Sequence, residues 1–269
     1  MTGRLADKVA LVCGAGSSGP GWGNGKATAV AFAREGARVF AVDRDEAAAR
    51  ETVAIIAGEG FTARAHAADI ADGDEVAAMV EACIATFGRV DVLHNNVGIA
   101  GMGNPVETPE AHWEQVLRVN VTGLFLTCKH VLPHFLAQGG GAIVNVSSLS
   151  AITAVRPEVA YATSKGAVNA FTINVAMTYA DRNIRCNAIL PGLIATPMVA
   201  GFLREQAGAD QVDALLRQRD AASPTGRMGE AWDVANAAVF LASDEARYVN
   251  GVLLPVDAGL QHGHIAGGS

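Results

Sequence analysis

Tyr161 and Lys165, four positions apart in Tyr161-Ala-Thr-Ser-Lys165, are the pair in this sequence best suited to moving a proton. On a helix, positions i and i+4 share a face about one turn apart, so an ammonium can stand beside a phenol. A tyrosine alone has a pKa of about 10 and is a poor base at neutral pH. A neighbouring cation favours the phenolate and brings the group toward the range in which it can give and take a proton. This spacing also arises by chance, so its context matters. It follows an apolar run that ends in Ser147-Ser148, where a hydroxyl could hydrogen-bond to an oxygen on which charge develops.

A second cluster lies near the N-terminus. The run Val9–Cys13 opens into Gly14-Ala-Gly-Ser-Ser-Gly-Pro-Gly-Trp-Gly-Asn-Gly25, and a helical pattern starts at Lys26. Glycines let a backbone turn sharply and approach a pyrophosphate, which would sit on the free N–H groups and positive dipole end of the helix. Asp43 ends the next apolar run, 18 residues beyond Gly25. That is near the roughly 20 expected of a carboxylate that binds a ribose, although Asp43 could instead cap the helix after it.

The elements that must position these groups are legible as alternation. Short β-branched runs fall at Val9–Cys13, Arg38–Val42, Thr62–Ala67, Val90–His94, Ala142–Val146, Ile184–Ile189 and Val252–Val256. Helical patterns lie between them, near 25–36, 45–59, 72–87, 108–138, 158–181, 197–219 and 230–242. The runs are apolar on successive residues, which predicts a sheet covered on both faces. Strand–helix alternation implies right-handed crossovers and a parallel sheet. The expected fold is α/β, one doubly wound Rossmann-type domain over residues 1–269. Its seven-stranded parallel sheet has the order 3-2-1-4-5-6-7 and helices on both faces. The segment off this rhythm, about 193–226, reads as a substrate-loop insertion.

Composition narrows the class. Half of the 269 residues are hydrophobic and 17% are charged, which suits a large buried core. A net charge of −7 without a Lys/Arg run gives no reason to expect nucleic acid. The N-terminus has no apolar leader, and no stretch reaches about 18 uninterrupted apolar residues, so no membrane partner is expected. Cys13, Cys83, Cys128 and Cys186 sit singly among apolar neighbours and read as buried free thiols of a reducing compartment. The expected location is cytoplasmic.

With these residues in place, the sequence resembles the short-chain dehydrogenase/reductase family over nearly its whole length. The family's T-G-x-x-x-G-x-G has Cys13 in place of the threonine and five extra residues between Gly14 and Gly23. Counting back from Glu35-Gly36-Ala37, Gly23-Asn24-Gly25 fits the later glycines, with Gly19 and Gly21 as the rival register. Asp69-Ile70 resembles the acid segment at the adenine edge, and Asn95-Asn96-Val97-Gly98 the family's N-N-A-G. Ser148, 13 residues before Tyr161, has the spacing of the family's catalytic serine, with Ser147 as competitor. Asn120 resembles the asparagine of its central helix, and Pro191-Gly192-Leu-Ile194-Ala-Thr196 its P-G segment.

The resemblance implies an oxidoreductase that moves a hydride between a nicotinamide cofactor and an alcohol or carbonyl. Tyr161 would be the acid/base, and Ser148 would hold the substrate oxygen. Lys165 would tune Tyr161 and bind the nicotinamide ribose, while Asn120 would hold a water linking Lys165 to solvent. Cofactor contacts would come from Gly14, Gly23, Asn24, Gly25, Asp43, Asp69, Ile70, Asn96, Gly98, Tyr161, Lys165, Pro191, Gly192, Ile194 and Thr196. The backbone of Ile194 would take the carboxamide. Asp43 points to NAD rather than NADP, with Arg44 and, more weakly, Lys26 able to reverse that preference. The partners expected are a small alcohol or ketone and further copies of the chain in a homotetramer. The tetramer would pair faces near 108–138 and 158–181, the second along Val168, Phe171, Val175 and Thr178.

Other readings compete. A 3-oxoacyl (β-keto thioester) reductase would be a substrate variant. A non-catalytic NAD sensor could drop the tyrosine or lysine, and both are present. A divergent enoyl reductase would space that pair six or seven apart, and an epimerase would need a longer chain. No histidine pair combines H-x-x-x-H spacing with nearby acids, so no metal is expected. His94 reads as a packed core residue, and His262 and His264 as exposed tail residues. Arg156 reads as a surface arginine that could alternatively meet a substrate carboxylate. Met198, Val199, Phe202 and Leu203 form an apolar stripe that reads equally as a lid or as packing.

Overall fold

A computed structural model describes residues 3–154 and 157–263. Arg156 and His264 lie outside the described residues. In chain order the elements begin β1 (Val9–Cys13), α1 (Asn24–Arg34), β2 (Arg38–Asp43), α2 (Glu46–Gly58), β3 (Ala63–Ala67), α3 (Gly73–Phe87) and β4 (Val92–Asn95). They continue with α4 (Glu110–Leu117), α5 (Gly123–Gln138), β5 (Gly141–Val146), α6 (Val159–Thr178), β6 (Ile184–Pro191) and β7 (Ile194–Ala195). The last are α7 (Pro197–Ala207), α8 (Val212–Ala222), β8 (Gly229–Glu230), α9 (Ala231–Ala242) and β9 (Leu253–Val256).

The main sheet is parallel, with seven strands in the order β3-β2-β1-β4-β5-β6-β9. The seventh strand of the sequence reading is β9, because the two-residue strands β7 and β8 pair with each other outside the main sheet. The central strands β1, β2, β4, β5 and β6 feed both faces. Ala10 and Val12 of β1 pack with α1 and α9 on one side. Val9, Leu11 and Cys13 pack with α3 and α5 on the other. Strand order reverses between β1 and β4, which opens a crevice beyond the carboxyl ends of the strands.

Local chemistry starts several helices. The Asp45 carboxylate accepts from Ala47 N at the head of α2, so Asp45, not Asp43, is the cap there. Asp72 accepts from Asp74 N and Glu75 N at the head of α3. Glu230 and Asp233 form a capping box on α9. The helix expected over 108–138 is divided: α4 and α5 are joined by a π turn, Arg118–Thr122, which contains Asn120. A π turn inserts one residue into the ladder without changing the apolar pattern, so periodicity could not announce it. The segment expected to be a single helix over 197–219 is likewise two, α7 and α8, broken at Gly208 (φ 82°).

Candidate active site

A cleft of about 540 Å³ lies over the carboxyl ends of the strands, lined along its length by the glycine loop, Asp43, Asp69, Ile70, Asn96, Gly98, Ser147, Ser148, Tyr161, Lys165, Pro191, Gly192, Ile194 and Thr196. At one end the chain leaves β1 through Gly14 (φ 79°), whose N–H donates to the Val42 carbonyl. A Cβ on Gly25 would fall inside the Gly14 carbonyl, so α1 can approach β1 this closely only with glycine there. Gly23 is the N-cap of α1, and Gly23 and Asn24 line the cleft. Gly19 and Gly21 do not. They reach instead toward Pro197 of α7, where an added Cβ would stand 3.5 Å from its ring. Of the two registers, Gly23-Asn24-Gly25 is the one that borders the cleft and meets the Gly14 carbonyl.

Asp43 faces the same end. Its Oδ2 accepts from Gly16 N at 3.0 Å and its Oδ1 from Asp45 N at 3.1 Å. Gly16 was not singled out from sequence. A Cβ there would stand 2.8 Å from Asp43 Oδ2, so glycine is what lets the loop close on the carboxylate. Lys26 is held elsewhere. It is buried, ion-paired with Glu51 at 2.5 Å, and lies 5.3 Å from the Trp22 ring, which in turn packs on Trp232. Arg44 is exposed on the cleft rim.

At the other end, α6 presents Tyr161 and Lys165 on one face, with Nζ 5.7 Å from the phenol ring centroid. Nζ donates to the Val146 carbonyl at 2.8 Å. Burial pushes the Lys165 ammonium down to about 8. Ser147 spends its hydroxyl on the Lys165 carbonyl at 3.1 Å. Ser148 Oγ instead accepts from Ser150 N, which leaves its own proton to donate into the cleft. Asn120 Nδ2 donates to the Ile99 carbonyl and to Ser164 Oγ, and its Oδ1 accepts from Ile99 N. A Cβ on Gly98 would lie 3.1 Å from Lys165 Nζ and 3.5 Å from Asn120 Oδ1, so the glycine keeps open the space both groups face.

Sequence reading missed the scaffold behind this end. Asn95 Nδ2 donates to Asn145 Oδ1, Thr127 Oγ1 donates to Asn95 Oδ1, and Asn145 Nδ2 donates to Thr172 Oγ1. Polar residues inside the apolar β4 and β5 runs were the available signal, since buried amides need partners.

Of the histidines, His94 is fully buried beside Phe32, and burial pushes it down to about 3. His262 is exposed. Among the described residues no three His, Cys, Asp or Glu side chains cluster as metal ligands. The four cysteines are buried and unpaired, and burial pushes Cys83 and Cys128 up to about 12. The apolar stripe of α7 divides its roles: Met198 and Val199 line the cleft while Leu203 is buried. On α6 the expected interface stripe is corrected. Val168 and Val175 are buried, and Val175 packs, with Phe171 partly buried, against the core of the sheet. The apolar side chains facing out are Ile173 and Met177, with Phe125 and Leu136 on α5.

Comparison with known proteins agrees with this geometry. The family model described as enoyl-(acyl carrier protein) reductase matches residues 20–261. The chain is 42% identical to 2-(R)-hydroxypropyl-CoM dehydrogenase of Xanthobacter autotrophicus over 257 residues, 93% of this chain and 97% of the relative. It is 37% identical to the 3-oxoacyl-[acyl-carrier-protein] reductase FabG of Thermotoga maritima, across 96% of this chain and 99% of the relative. The crystal structure of levodione reductase superposes with a TM-score of 0.89 at 35% identity, covering 97% of this chain and all of the other. A tyrosine–lysine helix beside a serine turn, a glycine-rich βα turn on a seven-stranded doubly wound sheet, and matches along nearly the full length together place the chain in the short-chain dehydrogenase/reductase family of oxidoreductases.

Proposed function

We propose that this protein is an NAD(H)-dependent oxidoreductase of one domain, moving a hydride between nicotinamide and a small alcohol or ketone with Tyr161 as general acid/base. The observation that carries the reading is the cleft itself. It has a glycine cradle and Asp43 at one end, and Tyr161, Lys165 and Ser148 at the other.

The cradle fits a dinucleotide. Gly14, Gly16 and Gly25 stand where side chains would block close approach of the backbone. Gly23 and Asn24, at the start of α1, offer N–H groups to a pyrophosphate. Asp43 would receive the adenosine ribose hydroxyls, Asp69 and Ile70 would hold the adenine end, and Asn96 and Gly98 would form the floor. Pro191, Gly192, Ile194 and Thr196 would hold the carboxamide. Bound there, NAD(H) would supply or accept the hydride.

The remaining work belongs to the chain. Ser148 donates to the substrate oxygen, and Tyr161 protonates that oxygen in reduction or takes the alcohol proton in oxidation. Lys165, still mostly protonated at pH 7 with a pKa near 8, holds the phenol toward its ionised form and binds the nicotinamide ribose. Asn120 keeps one lone pair of Oδ1 for a water that returns the proton to solvent.

The names of the relatives indicate a secondary alcohol and a β-keto thioester as reacting groups, so both classes are candidates here. The test is a fluorescence titration with NADH followed by an absorbance screen at the nicotinamide band with secondary alcohols, sugars, steroids and β-keto thioesters. Turnover on at least one class is expected. NADH binding with no turnover on any class would favour a non-catalytic sensor. Assembly is read as a homotetramer, because Phe125, Leu136, Ile173 and Met177 give α5 and α6 a second apolar face besides the one on the sheet. Light scattering should report four copies at micromolar concentration, and a monomer would overturn this assembly.

A further inference from the structure

Ser148 and Tyr161 ride on separate elements, a turn after β5 and the first turn of α6, yet their work requires a fixed separation. We propose that Ser150 and Glu158 form a clamp that sets this separation, making both positioning residues for the oxidoreductase chemistry read above, on which this inference rests.

The clamp is a chain of contacts. Ser150 N donates to Ser148 Oγ at 3.1 Å, and Ser150 Oγ donates to the Glu158 carboxylate. Glu158 is the N-cap residue of α6, three positions before Tyr161. A side-chain oxygen at that position can accept from the first N–H groups of its own helix, but the Glu158 side chain makes no cap bond. It turns instead to the serine turn. Its residue is 7% exposed, and a carboxylate is costly to bury unless a specific bond is formed. The backbone around it is fixed as well. Gly103 N donates to the Pro157 carbonyl and Val159 N to the Gly103 carbonyl, tying this corner to the loop after β4. Accepting the Ser150 N–H also orients Ser148, whose own proton is then left to point into the cleft. Ser150 and Glu158 thus bind the hydrogen-bond donor of the site to the helix that carries its acid/base.

The experiment compares wild type, Ser150→Ala, Glu158→Ala, the double alanine variant and Glu158→Gln, with Tyr161→Phe as reference. Hydrogen–deuterium exchange over residues 147–162 reads the clamp without any substrate. Exchange should rise in all three alanine variants and stay near wild type in Glu158→Gln, whose amide oxygen still accepts from Ser150. With the best alcohol from the screen, each alanine variant should lose about tenfold in kcat. The double variant should be no slower than either single one, Glu158→Gln should recover most of the rate, and NADH affinity should stay within about twofold of wild type in every case.

Unchanged exchange in the alanine variants would overturn the clamp. So would raised exchange with full kcat, additive losses, or a Glu158→Gln variant as slow as Glu158→Ala. Failure of the functional reading looks different: Tyr161→Phe would turn over like wild type, or no alcohol would react. In either case exchange still decides whether the clamp exists.

Discussion

The wall of the cleft behind Tyr161 and the wall facing it are built on opposite principles. On the β5–α6 side, eight α6 residues are buried, Lys165 among them, and Asn145, Asn95, Thr127 and Thr172 link strands to helices through hydrogen-bonded side chains. On the facing side, α7 and α8 bury one residue each, Leu203 and Val212, and Met198 is half exposed at the rim. A buried, satisfied polar network fixes positions sharply, because any displacement strands a donor or acceptor. A helix with one buried anchor can shift at little cost. The difference suggests a division of labour, with proton transfer held on the rigid wall and substrate choice left to the yielding one.

Substitutions on the two walls should therefore fail in different ways, and the rigid wall gives the largest effect. Tyr161→Phe should lower kcat by at least about 10²-fold while NADH affinity stays within a few-fold, measured by steady-state kinetics and fluorescence titration. Near wild-type turnover would remove Tyr161 from the mechanism.

Cofactor choice tests the far end of the same cleft. The ratio of kcat/KM should favour NAD(H) over NADP(H) by about 10²-fold or more, because the Asp43 carboxylate would accept from ribose hydroxyls and would repel a 2′-phosphate. Lys26, bound to Glu51, is not placed to help a phosphate, which leaves Arg44 as the competitor. Asp43→Ala should shrink the ratio, and equal use of both cofactors by the wild type would show that Arg44 prevails.

Lys165 separates function from stability on the rigid wall. Its folded-state pKa is depressed to about 8, so its charged form opposes folding below that pH. Relative to an unfolded value near 10.5, the penalty is about 3 kcal/mol and is relieved as pH rises from 8 toward 10.5. Lys165→Met should abolish turnover and weaken NADH binding, yet melt no lower than wild type at pH 7. The wild type should close the gap at higher pH. A melting temperature well below wild type at pH 7 would show that the bond to the Val146 carbonyl outweighs desolvation.

The smallest effect belongs to the yielding wall. Met198→Ala should raise KM for bulky alcohols less than about tenfold with kcat little changed, because it removes apolar contact without touching the proton path. A large loss of kcat would mean that α7 closes rigidly over the reaction and that the contrast between the walls is false.

Much of this is legible in the sequence. Successive apolar residues in the strand runs gave the doubly covered parallel sheet, because a strand packed on two sides has no polar face to alternate. Tyr161 and Lys165 could be paired by spacing alone, because one helical turn fixes their neighbourhood. Asp43, Gly14 and the P-G segment were locatable because each closes a strand. Other features were decided only in three dimensions. The choice of Gly23 and Gly25 over Gly19 and Gly21 depends on which backbone meets the Gly14 carbonyl. The proposal of Ser148 over Ser147 rests on which hydroxyl the Lys165 carbonyl captures. The π turn at Asn120 leaves no trace in apolar periodicity, and the exposed face of α6 could not be told from the buried one while both were apolar. Sequence determines what lies within a turn or at the end of a strand, since covalent geometry sets those distances. Which of two equivalent neighbours is left free to face the cleft is decided by partners from distant segments, and only packing brings those together.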